Sequence, residues 1–259
     1  MSPDGTIAWE RSGLIATALI DRPARRNALS APLCTELRDH LAENRDLRAV
    51  VISGAGDKAF CAGADLREEK DLSDPEISRA FRTLGRNMLN RIENGKLPVI
   101  AAIHGYCIGG GTALGWICDL RVAAENSVFR AGDAFLGVLP SWGMGLTRLP
   151  KYVGRNKALD ILLLGENFGA REAYELGLAT KVVPKDKLID ECMKMAQRIC
   201  NASPTAIRAT RQAIAANLRR DWDGMVELEL ELCEMMFAHP DAHEGFAAFM
   251  EKREAKFKT

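Results

Sequence analysis

Two stretches of the chain are apolar at every position. Residues 50–52 (Val50, Val51, Ile52) and 99–103 (Val99, Ile100, Ala101, Ala102, Ile103) carry no polar side chain, so each is read as a strand buried on both faces. Each strand empties into small residues and then into a helical pattern. After the first come Ala55, Gly56 and, further on, Phe60, Cys61, Ala62, Gly63, Ala64, Asp65 and Leu66. After the second come a turn at His104, Gly105 and Tyr106, the triplet Gly109, Gly110 and Gly111, and a small-residue segment that reads as a buried helix. Two runs of β-type residues about Ser12 and Gly13 predict a hairpin over 7–20. Ser30 predicts the N-cap of a helix through Leu33, Leu37 and Leu41. A charged stretch without period, 67–74, predicts a loop over a helix at 75–94, with short strands near 121–123 and 128–129 beyond. Helical patterns then fill 158–164, 170–176, 185–201, 204–218, 222–237 and 241–256, with Ser203 and Pro204 marking one helix start. Met225, Met235, Met236 and Phe237 at helical spacing read as core or as subunit interface.

Composition narrows the class. The 259 residues are 47% apolar and 27% charged, ordinary for a globular soluble protein and ample for a sizeable core. Basic and acidic residues balance at 35 each, so overall charge gives no case for nucleic acid or an anionic membrane. Seven cysteines without a C-x-x-C pair suit a reduced, cytoplasmic setting, with Cys61, Cys107 and Cys118 as small core residues. Asp4 and Glu10 near the start, with no long apolar segment, give neither a signal peptide nor a membrane span. No metal site is read.

The triple glycine is where chemistry enters. It matches neither a dinucleotide nor a P-loop fingerprint. Glycines at a strand-to-helix junction instead let a ligand atom approach the backbone, and the free N–H groups of a helix's first turn favour negative charge there. The Gly63-Ala64 loop adds a second such place, so two loops can each offer one N–H to a single carbonyl oxygen.

In chain order, the segments 21–30 (Asp21, Arg22, Pro23 to Ser30), 60–66, 105–111, 118–121, 136–140 and 249–253 resemble the crotonase (enoyl-CoA hydratase/isomerase) superfamily over nearly the whole length. The resemblance implies an α/β fold with a crotonase-like ββα spiral core and a C-terminal helical region that packs subunits into homotrimers or homohexamers. It divides the chain into a 1–200 acyl-CoA-binding core and a 201–259 oligomerisation region. It implies an acyl-CoA thioester as substrate, with no cofactor beyond the coenzyme A that the substrate carries. Carried over by position, the Ala64 and Gly110 backbone N–H groups would hold the thioester oxygen as an enolate forms, each such donor being worth a few kcal/mol. Because both act through backbone, a change to another small residue is expected to do little.

The acids depart from the hydratase pattern of two glutamates. The first position is Ala113, which transfers no proton; the second is Asp133, a carboxylate one methylene shorter. A lone carboxylate serves as general base when burial raises its pKa, and the family's 3-enoyl-CoA to 2-enoyl-CoA isomerases work with one carboxylate here. A turn role beside Gly132 competes with catalysis at Asp133. Ser141 stands where dienoyl-CoA isomerases and aryl-CoA dehalogenases place an aspartate, so those reactions lose ground. Glu68 and Glu69 would supply a second acid only if their loop closes, and His104 reads as a core histidine. Trp142 is expected either at the floor of the acyl pocket or in a packing role, and Gly109 beside the oxyanion site. For the coenzyme A portion the resemblance points to Arg25, Arg26, Asn27, Ala62, Asp65 and Leu66, and to Phe249 and Lys252 from the C-terminal helix, often a neighbour's. Hydration or isomerisation of an enoyl-CoA is thus the expected activity. Two alternatives stay open: decarboxylation of an acyl-CoA, and, because of Ala113, a non-catalytic acyl-CoA binder.

Overall fold

The computed structural model describes residues 5–44, 46–65, 75–218 and 220–257. Strands β1 (Thr6–Ser12) and β2 (Ile15–Asp21) form the expected hairpin. A 3-10 turn at Pro23–Arg25 leads to α1 (Ala31–Glu43), where the Ser30 hydroxyl accepts from the Leu33 N–H as a cap should. Then come β3 (Ala49–Gly54), β4 (Ala59–Cys61), α2 (Pro75–Asn94), β5 (Val99–Ile103), β6 (Tyr106–Ile108), α3 (Gly110–Ile117), β7 (Leu120–Ala124) and β8 (Val128–Arg130). The second half holds α4 (Leu149–Val153), α5 (Arg155–Leu159), β9 (Phe168–Gly169), α6 (Ala170–Glu175), β10 (Lys181–Val183), α7 (Leu188–Cys200), α8 (Pro204–Asn217), α9 (Trp222–Phe237) and α10 (Pro240–Glu251).

From β3 to β8 successive strands fall in the two sheets in turn. One sheet runs β1-β2-β3-β5-β7-β10, the other β4-β6-β8-β9. From β2 to β10 the first is parallel, as is the second from β4 to β8. The pairs β3/β4, β5/β6 and β7/β8 therefore each place one strand in each sheet before the chain crosses back, which is the ββα spiral. Both faces of the larger sheet are covered. Ala18, Ile20, Val50, Ile52, Ala101 and Ile103 pack into a core with Phe60, Met88 and Leu114. Val51, Ile100, Ala102 and Val122 pack instead on α7 through Leu188, Cys192 and Ala196. Two-sided burial is why residues 50–52 and 99–103 tolerate no polar side chain. Asp119 ties the helical end of the chain to this core: its carboxylate accepts the Val99 N–H at 2.7 Å and the Arg211 guanidinium of α8 at 2.8 Å.

Several elements differ from the sequence expectation. Residues 104–108 hold more than a turn, since Tyr106 and Cys107 pair with β4 and Tyr106 to Ile108 with β8. The pattern at 158–164 splits into α5 and a π-helical turn at Asp160–Leu164. The last helix stops at Glu251 rather than near 256, because Lys252 turns into the left-handed region at φ 55°. Cys61, Cys107 and Cys118 are buried as expected, and burial pushes the Cys61 thiol up to about 12. His104 is buried with Nε2 2.9 Å from the Gly56 carbonyl, the satisfied core histidine anticipated. Among the described residues no helix is long and apolar enough to cross a membrane. Leu66, Glu68, Glu69 and the rest of the 67–74 stretch lie outside the described residues.

Candidate active site

The smaller sheet assembles the site. Its three parallel strands β4, β6 and β8 lie side by side, and each delivers one candidate residue just past its carboxyl end. Ala64 follows Cys61, Gly110 follows Ile108, and Asp133 follows Arg130 by two or three residues. Neighbouring parallel strands point the same way, so loops at their ends must meet.

Hydrogen bonds fix how the loop at Ala64 presents its backbone. Leu29 donates its N–H to the Gly63 carbonyl at 2.7 Å and accepts the Asp65 N–H at 2.9 Å, a parallel bridge centred on Ala64. Alternate residues of an extended strand point opposite ways, so the Ala64 N–H faces away from Leu29. Asp65 anchors the loop further: its carboxylate meets the Arg22 guanidinium at 2.6 Å with both side chains under a tenth exposed. On the other side, Gly109 adopts φ 51° and donates to the Arg130 carbonyl, while its own carbonyl takes the Thr112 hydroxyl at 2.6 Å. That turn starts α3 at Gly110, whose N–H belongs to the helix's unpaired first turn. A methyl on Gly111 would stand 2.1 Å from the Cys61 carbonyl, so only glycine lets α3 lie against β4. Among the described residues neither the Ala64 nor the Gly110 N–H has a protein acceptor. Two such donors can hold one carbonyl oxygen.

The two backbones approach closely at this point. A Cβ on Gly110 would lie 3.1 Å from the Ala64 nitrogen and 3.0 Å from Cζ3 of Trp142. Alanine at Gly110 therefore requires the indole or the Ala64 backbone to give by a few tenths of an ångström.

Ala64, Gly109, Gly110, Ala113, Asp133, Ser141 and Trp142 line one cavity of about 550 Å³. Asp133 opens a 3-10 turn, Asp133–Leu136, and its carbonyl accepts the Val138 N–H at 3.3 Å. The turn role and a place in the cavity thus coexist: the backbone makes the turn, while the residue lines the cavity. Burial pushes the Asp133 carboxyl above the usual carboxylate range, with its own N–H pulling weakly the other way. Ala113 is 7% exposed and lines the same cavity with a methyl. Phe81, Ala131, Leu139 and Met144 supply apolar wall. Phe81 from α2 was missed in the sequence, where it was one apolar position of an amphipathic helix; nothing local distinguishes a wall residue from a core residue.

Among the described residues, the expected coenzyme A contacts do not share that cavity. Arg25 and Arg26 are exposed on the turn before α1, with Arg26 stacked over Tyr106 at 5.9 Å. The Ala62 N–H donates to the Arg26 carbonyl at 2.9 Å, so this pair borders the Ala64 loop. Asn27 is fully buried, its carboxamide accepting from the Arg22 N–H and donating to the Ala55 and Ala59 carbonyls. Its side chain is spent on the fold, as is that of Asp65, which leaves these two with a scaffold role toward a ligand. Phe249 and Lys252 sit exposed at the end of α10 and do not line the cavity of their own chain.

Comparison with known proteins identifies the family and the fold. The enoyl-CoA hydratase/isomerase family profile matches residues 10–259. A crotonyl-CoA hydratase of Syntrophomonas wolfei is 37% identical over 254 residues, 97% of each chain. A short-chain-enoyl-CoA hydratase of Clostridium acetobutylicum is 34% identical over 250 residues, 95% of each. The crystal structure of an enoyl-CoA hydratase from Bacillus anthracis superposes with a TM-score of 0.92 at 33% identity, covering 97% of this chain and 98% of the other. The chain has the crotonase fold and belongs to the enoyl-CoA hydratase/isomerase family of enzymes.

Proposed function

We propose that this enzyme acts on an acyl-CoA thioester by forming an enolate, with the Ala64 and Gly110 N–H groups on the thioester oxygen and Asp133 as the single proton carrier. The convergence of these three residues at the ends of β4, β6 and β8, on one cavity, carries the reading. A carboxylate raised in pKa by burial suits proton removal from a carbon whose acidity the two donors increase. With Ala113 in place of a second acid, the reaction that needs least is a 3-enoyl to 2-enoyl shift. Asp133 takes a proton from the α-carbon, the double bond moves, and the same carboxyl returns a proton to the γ-carbon. Hydration of a 2-enoyl-CoA is the second reading, favoured by the names of the relatives. There, Asp133 alone would have to activate water and see the α-carbon protonated.

No cofactor beyond the substrate's coenzyme A enters either route. The exposed apolar residues of α9 and α10, Phe237, Phe246, Phe249 and Met250 among them, support assembly into a homotrimer or homohexamer. Such an assembly would bring Lys252 to a neighbour's coenzyme A, and light scattering reads its size directly. A cytoplasmic location fits the cysteine usage. Purified enzyme given 3-butenoyl-CoA and, separately, trans-2-butenoyl-CoA tests the choice. Isomerisation exceeding hydration supports the first reading, the reverse supports the second, and tight binding without turnover of either defines a binder.

A further inference from the structure

Gly85 lies in the middle of α2, where glycine is a poorer helix former than alanine. Its neighbour explains its presence. A Cβ at Gly85 would lie 2.4 Å from Cε2, 2.5 Å from Cδ2 and 2.7 Å from Nε1 of Trp142, so the indole lies flat on the bare helix backbone. The far rim of the same ring, Cζ3 and Cη2, stands 3.0 and 3.3 Å from where a Gly110 Cβ would be. Phe81, one turn before Gly85, meets the ring edge-on at 5.8 Å. Trp142 is thus wedged between α2 and the first residue of α3, only 5% exposed, and forms cavity wall beside the Gly110 amide. Its loop is also strapped to α2. Arg148 binds Glu93 through Nε and Nη2 at 2.7 and 2.6 Å and holds the Gly143 carbonyl through Nη1, while Arg86 donates to the Ser141 carbonyl at 3.1 Å.

We propose that Gly85 is a positioning residue which, through Trp142, sets the length of the hydrocarbon acyl group that the cavity admits; this rests on the acyl-CoA reading above. Carbon atoms in contact keep about 3.5–4.0 Å, so a methyl at 85 forces the indole back by roughly 1 Å. The ring's far rim already meets Gly110 and its loop is strapped, so the movement goes into the cavity or against the oxyanion amide. Both shorten the acyl space. Removing the indole has the opposite effect and makes the residue at 85 immaterial.

The test uses Gly85→Ala, Trp142→Ala and the double variant, each assayed by calorimetric binding of saturated straight-chain acyl-CoAs of increasing length and by kcat/KM on the matching enoyl-CoAs. Gly85→Ala is expected to lower kcat/KM about a hundredfold for the longest group the wild type accepts, the scale of a 1 Å misplacement, and much less for the shortest. Trp142→Ala is expected to extend the accepted length, and the double variant to match Trp142→Ala alone. A Gly85→Ala loss equal at every length, or one undiminished in the Trp142→Ala background, overturns the proposal. Where Gly85→Ala does not fold, folding of the double variant supports the same contact, and its failure to fold overturns it. If no acyl-CoA of any length binds the wild type, the acyl-CoA reading itself falls, whereas intact binding with unchanged length preference removes only the role of Gly85.

Discussion

Gly110→Ala perturbs the backbone N–H pair without removing any polar side chain from the site. The added methyl would stand 3.1 Å from the Ala64 nitrogen and 3.0 Å from Trp142 Cζ3. At that distance it sterically keeps a thioester oxygen from the Ala64 donor. Loss of one such donor costs about 3 kcal/mol of transition-state stabilisation, on the order of a hundredfold to a thousandfold in kcat. Stability moves little by comparison. Alanine favours the first turn of α3 by up to about 1 kcal/mol over glycine, and the tight contact with the indole works against that gain. The assay is steady-state turnover of a short enoyl-CoA, with thermal unfolding of the same preparation alongside. The expected result is a collapse of kcat with KM and Tm nearly kept. A kcat within about threefold of wild type, under 1 kcal/mol by the rate equation, would falsify the oxyanion assignment of Gly110.

Other outcomes follow from the same geometry. Asp133 holds its proton more tightly folded than unfolded, so the sign of the linkage is that stability falls as pH rises from the unfolded pKa through the raised folded one. Asp133→Asn should therefore raise Tm at neutral pH, an advantage that disappears below the ordinary carboxylate pKa of 3.8; a Tm difference independent of pH contradicts this. The acid limb of the wild-type pH profile of kcat/KM should likewise sit above 3.8, since the base must be ionised and burial resists that. Asp65→Ala leaves the buried Arg22 guanidinium without its 2.6 Å partner. Breaking such a pair costs about 3–5 kcal/mol, a Tm drop on the order of 10 °C in a domain this size. A drop of a degree or two in differential scanning calorimetry would show the pair to be incidental.

How much of this was legible in the sequence depended on length and environment. β3 and β5 were readable because two-sided burial removes every polar residue from Val50 to Ile52 and from Val99 to Ile103. Ser30 and Ser203 were readable because a cap has local chemistry, and both hydroxyls accept the expected N–H. β4 and β6 were not: Tyr106, Cys107 and Ile108 sit between a turn signal and the triple glycine, whereas the equally short β8 was readable. Yet these short strands bring Ala64, Gly110 and Asp133 together, so positions that the family resemblance supplied gain their physical reason only from the sheet order. The end of α10 escaped for another reason. Lys252 turns left-handed without glycine or proline to mark it, and Arg253 then folds back on Glu244 at 2.6 and 3.0 Å. Gly85 was visible only as a glycine inside a helical pattern; its meaning lies in a tryptophan 57 positions away that no spacing rule connects to it.

The most direct measurement is solvent-deuterium exchange at the α-carbon of butanoyl-CoA, followed by NMR, for wild type beside Asp133→Asn. This substrate can form the enolate but can neither isomerise nor hydrate, so only proton removal is read. Exchange by the wild type that falls by a hundredfold or more, the scale of a lost general base, is predicted for Asp133→Asn with binding retained. Equal exchange by both proteins would mean that some other group moves the proton and that Asp133 only makes its turn.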